Sequence, residues 1–93
     1  MESVMPLMPS FAHQIALADA EEEMKKARAK FAPMNSAHEG FAVLYEEFDE
    51  LKAHVWMNQS KRDLTAMRQE AIQVAAMALC FAAEICNEER GRK

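Results

Sequence analysis

Ser36-Ala37-His38-Glu39-Gly40-Phe41-Ala42-Val43-Leu44-Tyr45-Glu46-Glu47-Phe48-Asp49-Glu50-Leu51-Lys52-Ala53-His54-Val55 is the stretch that decides the fold class. Ser36 followed by Glu39 is a capping-box pattern, in which hydroxyl and carboxylate satisfy free backbone N–H groups at a helix start. Phe41, Leu44, Phe48, Leu51 and Val55 then recur at alternating steps of three and four, which places them on one helix face that must be buried. Taking about 100° per residue, Glu47 lies about 80° from the centre of that face and Glu50 about 140°. The acids therefore border the core. His54 falls almost directly below Glu47, two turns on.

Downstream, Met57-Asn58-Gln59-Ser60 is a polar break, and Ser60 or Asp63 can cap a further helix predicted to run to Glu88 or Glu89. Leu64, Met67, Ala71, Val74, Ala78, Phe81 and Ile85 follow a strict three-four repeat, a coiled-coil-like seam. Beside it runs a row of Ala66, Glu70, Gln73, Met77, Cys80 and Glu84. Ala75, Ala78, Ala82 and Ala83 permit close helix approach, so Glu70 is expected to be partly enclosed, and an enclosed acid requires a partner. Upstream, Ser10 caps a helix from Phe11 to Lys30, which Phe31-Ala32-Pro33 ends. Its apolar stripe is Leu17, Ala20, Met24, Ala27 and Phe31.

A chain of 93 residues, 51% hydrophobic with two Gly and three Pro, reads as a single all-α domain over residues 1–93, with residues 1–10 as an N-terminal strap. So small a chain buries only about 60 to 65% of its unfolded surface, which makes oligomerisation the default expectation. The net charge of −4 argues against holding a nucleic acid polymer through its phosphates. The first ten residues lack the parts of a secretory signal and no run is long enough to span a bilayer, so a cytoplasmic protein is expected. Cys80 and Cys86 stand about 9 Å apart along a helix axis, too far for a bridge, and are expected to be free thiols. Gly-rich phosphate loops, Gly-x-Ser-x-Gly elbows and Cys/His pairs with an orienting acid are absent from the sequence.

Glu47 and Glu50 stand three positions apart on one helix face, and Glu70 and Gln73 repeat that spacing with nineteen residues separating Glu50 from Glu70. Antiparallel packing would make them converge. Converging carboxylates repel one another unless a hard divalent cation such as Mg2+ or Mn2+ accepts their oxygens. Glu-rich faces are ordinarily solvated surface; two such pairs, each flanking an apolar stripe, set these apart. Lys52, His54, Lys61, Arg62 and Arg68 are candidates for steadying phosphates, Lys61 and Arg62 best placed because they enter a helix start.

Glu46-Glu47-x-x-Glu50 followed by Glu70-x-x-Gln73 on a later helix resembles the signature of the MazG-like, all-α nucleoside triphosphate pyrophosphohydrolases. The strings Asn35-Ser36-Ala37-His38-Glu39-Gly40 through Leu51, and Glu70 through Ala78, resemble the small members found in phage genomes. The likeness covers about residues 31–86. It implies an antiparallel helical bundle whose four-helix core is completed by dimerisation, as a homodimer or homotetramer. It further implies Mg2+-dependent cleavage of a (deoxy)nucleoside triphosphate into monophosphate and pyrophosphate. By position, Glu47, Glu50, Glu70 and Gln73 would hold the metal, and Glu46 would orient or deprotonate the attacking water, with Glu47 beside it in the catalytic pair.

One departure matters: the commoner pattern ends in Asp where this chain has Gln73. A Gln amide oxygen can ligate a cation but brings no charge, and its NH2 must find another acceptor. The alternative expectation is a non-catalytic helical oligomer that binds a nucleotide or a protein partner. An adaptor docking through its apolar stripe alone would leave Glu47, Glu50 and Glu70 without a role.

Overall fold

The computed structural model describes residues 10–87, and among them the chain is helical with no strand. The N-terminal strap and the basic cluster Arg90-Gly91-Arg92-Lys93 fall outside the described residues. Three helices follow one another: α1 (Phe11–Lys30), α2 (Ala37–Val55) and α3 (Leu64–Glu84), with a single 3-10 turn at Gln59–Lys61. Each start is capped by a short polar side chain that accepts a backbone N–H: Ser10 from His13, Ser36 from Glu39, and Asp63, rather than Ser60, from Ala66. Glu39 reaches back to the N–H of Asn35, one residue earlier than the capping box predicts. The third helix stops at Glu84, where Ile85 closes the last turn on Phe81, so the expectation that it continues to Glu88 or Glu89 is corrected.

Polar ties fix the directions of the helices. Asp19–Arg68, Glu23–Gln73 and Arg28–Glu84 pair positions that increase together, so α1 runs parallel to α3. Gly40 against Phe81, and Glu47 and Glu50 against Glu70, pair positions that increase in opposite senses, so α2 is antiparallel to α3. Helices next to one another in sequence therefore run in opposite directions, up-down-up, and α1 lies parallel to α3 as that order requires. Both flanking helices pack on α3 and not on each other. A cleft remains between them, floored by α3.

The core is correspondingly small: Ala20, Met34, Ile72, Ala76, Cys80 and Ile85 are buried, with Met24, Ala37, Val43, Met77 and Phe81 packed beside them. Gly40 is buried where α2 crosses Phe81, and the missing Cβ is what permits that approach. Helix α2 therefore turns Gly40, Val43, Glu47 and His54 inward. The face predicted to be buried is largely outside, with Phe41 62% and Phe48 56% exposed. The predicted seam of α3 is likewise split, since Ile85 is buried and Val74 and Phe81 half-buried while Leu64, Ala71 and Ala78 are exposed. In α1, Ala20 is buried but Leu17 and Phe31 are not. A radius of gyration of 15.9 Å, against about 12 Å for a compact chain of this length, reflects the same openness.

Candidate metal centre

Each carboxylate of the candidate centre is placed by its position on a capped helix, and the antiparallel α2–α3 pair then brings the two motifs face to face. Glu47 and Glu50, one turn apart on α2, meet Glu70 of α3, and one oxygen of each lies within 4.8 Å of the other two. Glu47 and Glu70 are half-buried and Glu50 is exposed. Burial pushes the Glu47 carboxyl above its ordinary value, and the charges of Glu50, Glu70 and Glu46 push it further. Glu50 is raised by a hydrogen bond with Glu70 and by its charge. Excess negative charge is the physical signature here: Glu47 and Glu50 hold their protons more tightly because neighbouring carboxylates crowd them. An all-oxygen set of this kind fits a hard divalent cation.

The α1–α2 cleft adjoins this cluster. It has a volume of about 1020 Å³ and is lined by Glu23, Glu46, Glu47 and Gln73 together with Lys30, Phe31 and Asn35. Val43, Met34 and Met77 supply an apolar floor. Glu47 belongs to both the cluster and the cleft, and Glu46, exposed, lines the cleft beside it.

Gln73 stands one turn beyond Glu70 on α3 and lines the cleft together with Glu47. Its Nε2 donates to Glu23 Oε1 at 2.6 Å, supplying the acceptor that the amide requires. Glu23 Oε2 lies 3.3 Å from Lys26 Nζ, and these partners hold its carboxyl below the ordinary range, the Gln73 hydrogen bond contributing most.

Of the predicted phosphate ligands, Lys52, His54, Lys61 and Arg62 do not line the cleft. Arg62 is engaged elsewhere: its Nη2 donates to the carbonyl of Val55 at 2.6 Å, closing the end of α2. Lys52 and Lys61 are exposed, and His54 is half-buried with Nδ1 lacking a hydrogen-bond partner. The cations that do line the cleft, Lys26, Arg28 and Lys30, come from α1. Arg28 is already bound to Glu84 at 2.7 Å. Glu23 and these α1 cations were hidden in the sequence because Glu21-Glu22-Glu23 followed by Lys25 and Lys26 reads as neighbouring surface charge. The one signal pointing across the fold was the unmet need of Gln73 for an acceptor.

No protein-family model, curated protein or solved structure matches this chain.

Proposed function

We infer that the protein is a divalent-cation-dependent nucleotide pyrophosphohydrolase of the MazG-like, all-α kind, cleaving a (d)NTP to (d)NMP and pyrophosphate. The observation that carries this reading is the convergence of Glu47, Glu50 and Glu70 from two helices, with ligand oxygens within 4.8 Å of one another. These residues would hold Mg2+ or Mn2+, with Gln73 as a neutral neighbour. The cation, when bound, supplies charge neutralisation for the phosphates and lowers the pKa of water. Glu46, which lines the cleft, would accept the proton of a water whose oxygen attacks the α phosphorus. The bond from that phosphorus to the α–β bridging oxygen breaks, and pyrophosphate departs with the electron pair. Lys30, rather than Lys61 and Arg62, is the cleft cation that would meet anionic groups of the substrate, Lys26 being paired with Glu23 and Arg28 with Glu84.

A homodimer is part of the same reading. Phe41, Leu44, Tyr45, Phe48 and Val74 surround an apolar surface slot of about 420 Å³, and aromatic rings of this size bury about 150 to 250 Å² each when covered. A second α2–α3 pair would cover it and complete a four-helix core. No helix among the described residues is long and apolar enough to cross a membrane, and a cytoplasmic location accords with free Cys80 and Cys86.

The test is product analysis over a panel of canonical and modified dNTPs and NTPs with Mg2+ or Mn2+, using Glu50→Gln as the blank. Equal amounts of monophosphate and pyrophosphate, absent in the variant, are expected. Silence across the panel from folded protein with metal bound would overturn catalysis and leave a binding protein.

A further inference from the structure

We propose that Glu23 of α1 is a positioning residue for the metal centre, holding the amide of Gln73 so that its carbonyl oxygen serves where a carboxylate would otherwise stand. The inference rests on the metal-centre reading above and assigns a role to a helix that the two-motif signature leaves out.

The orientation follows from donor chemistry. Only the NH2 end of an amide can face a carboxylate, so the 2.6 Å contact with Glu23 Oε1 identifies which end of Gln73 points toward α1. Nitrogen and oxygen occupy opposite corners of the planar group. Committing Nε2 to α1 leaves Oε1 as the remaining polar atom of Gln73, a residue that lines the cleft together with Glu47. A free Gln side chain samples several rotamers, whereas this one is held by a charge-assisted bond between half-buried partners.

Glu23 is itself held. Lys26 approaches its second oxygen at 3.3 Å on the same helix, and Gln69, one turn before Gln73, also bonds it. With its oxygens engaged in this way, Glu23 is suited to orient a ligand rather than to be one. A metal site commonly depends on such an outer partner, whose loss costs about 10- to 100-fold in affinity.

Mn2+ titration by calorimetry tests the proposal through a sign reversal. In the natural chain, Glu23→Ala should weaken Mn2+ binding about tenfold, while Glu23→Gln, which keeps an acceptor oxygen, should retain most of the affinity. In a Gln73→Asp background the same Glu23→Ala change should leave binding unchanged or tighten it, because a carboxylate at 73 has no NH2 to be held and is repelled by Glu23. Equal loss in both backgrounds, or none in either, would overturn the positioning role. The natural chain supplies a second readout that needs no variant to fold: the Gln73 side-chain NH2 resonances should move on addition of Mg2+. If they stay fixed at saturating Mg2+, Gln73 is not a ligand and the proposal falls. A natural chain that binds no Mn2+ in a Glu50-dependent manner would instead refute the metal centre itself, a result distinct from all of these.

Discussion

Gly40 and Phe81 meet so closely that a Cβ on residue 40 would lie 2.7 Å from Cδ2 of the ring and 3.0 Å from Sδ of Met34. This one crossing sets how near α2 lies to α3, and hence whether Glu47 and Glu50 can reach Glu70. Gly40→Ala gains about 1 kcal/mol of helix propensity but forces overpacking worth about 1 to 3 kcal/mol. A net loss of about 1 kcal/mol is expected in urea unfolding, together with weaker divalent-cation binding. Unchanged stability and binding would show that the crossing is not what spaces the acids.

Mg2+ should raise the melting temperature, since a ligand at 100 times its Kd adds about 2.7 kcal/mol to the folded state. Glu70→Gln removes the only α3 carboxylate in the cluster and is expected to erase that shift. Differential scanning fluorimetry with Mg2+ and with EDTA measures both.

Protons should act in place of the missing counter-charge when divalent ions are chelated. Glu47 and Glu50 are raised above 4.5 in the folded chain, so the native state binds protons more tightly than the unfolded one. Stability then increases as pH falls through the raised values and is fully gained only below the ordinary value near 4.5. Glu47→Gln in EDTA should accordingly melt above the natural chain at neutral pH, the gap closing as pH falls toward 4.5. A gap that stays constant with pH would contradict the electrostatic account.

The exposed rings of α2 make the oligomeric state testable without touching the acids. Phe41 is 62% exposed and lies 6.1 Å from Tyr45, ring centre to ring centre. Phe41→Lys should dissociate the assembly in sedimentation velocity while leaving helix content intact. If the mass is the same before and after, the slot is not the contact between copies.

Arg62→Ala is predicted to cost about 1 kcal/mol of stability by freeing the Val55 carbonyl, with KM for any nucleotide unchanged. A KM that rises several-fold with stability intact would restore Arg62 to the phosphate site.

Much of this was legible in the chain because capping is local. Ser10 and Ser36 mark helix starts by hydrogen bonds within three residues, and the structure places α1 at Phe11–Lys30 and α2 from Ala37 as read. The i, i+3 spacing of Glu47 and Glu50 likewise needed only helix geometry to be placed on one side. Burial was harder to read. Periodicity shows that Phe41, Phe48 and Val74 share apolar stripes but not what covers them, and Gly40 instead turns α2 toward Phe81. Glu23 escaped notice because its partner is fifty positions away, a separation at which neither repeat nor spacing carries information. Asp63 prevailed over Ser60 since Asn58 already bonds the Ser60 N–H and hydroxyl in the preceding turn.

The parallel attachment of α1 to α3 has a further outcome. Ala20 is its one fully buried residue, with half-buried Met24 packed on the core, whereas Asp19–Arg68, Glu23–Gln73 and Arg28–Glu84 distribute polar ties along its length. Asp19–Arg68 is the exposed pair among these ties, and exposed ion pairs weaken as the Debye length shrinks from about 10 Å at 0.1 M to about 3 Å at 1 M salt, while apolar contacts do not. Ionic strength thus becomes a dial that loosens one wall of the cleft and spares the other: amide exchange should quicken along α1 in concentrated NaCl before it changes in α2.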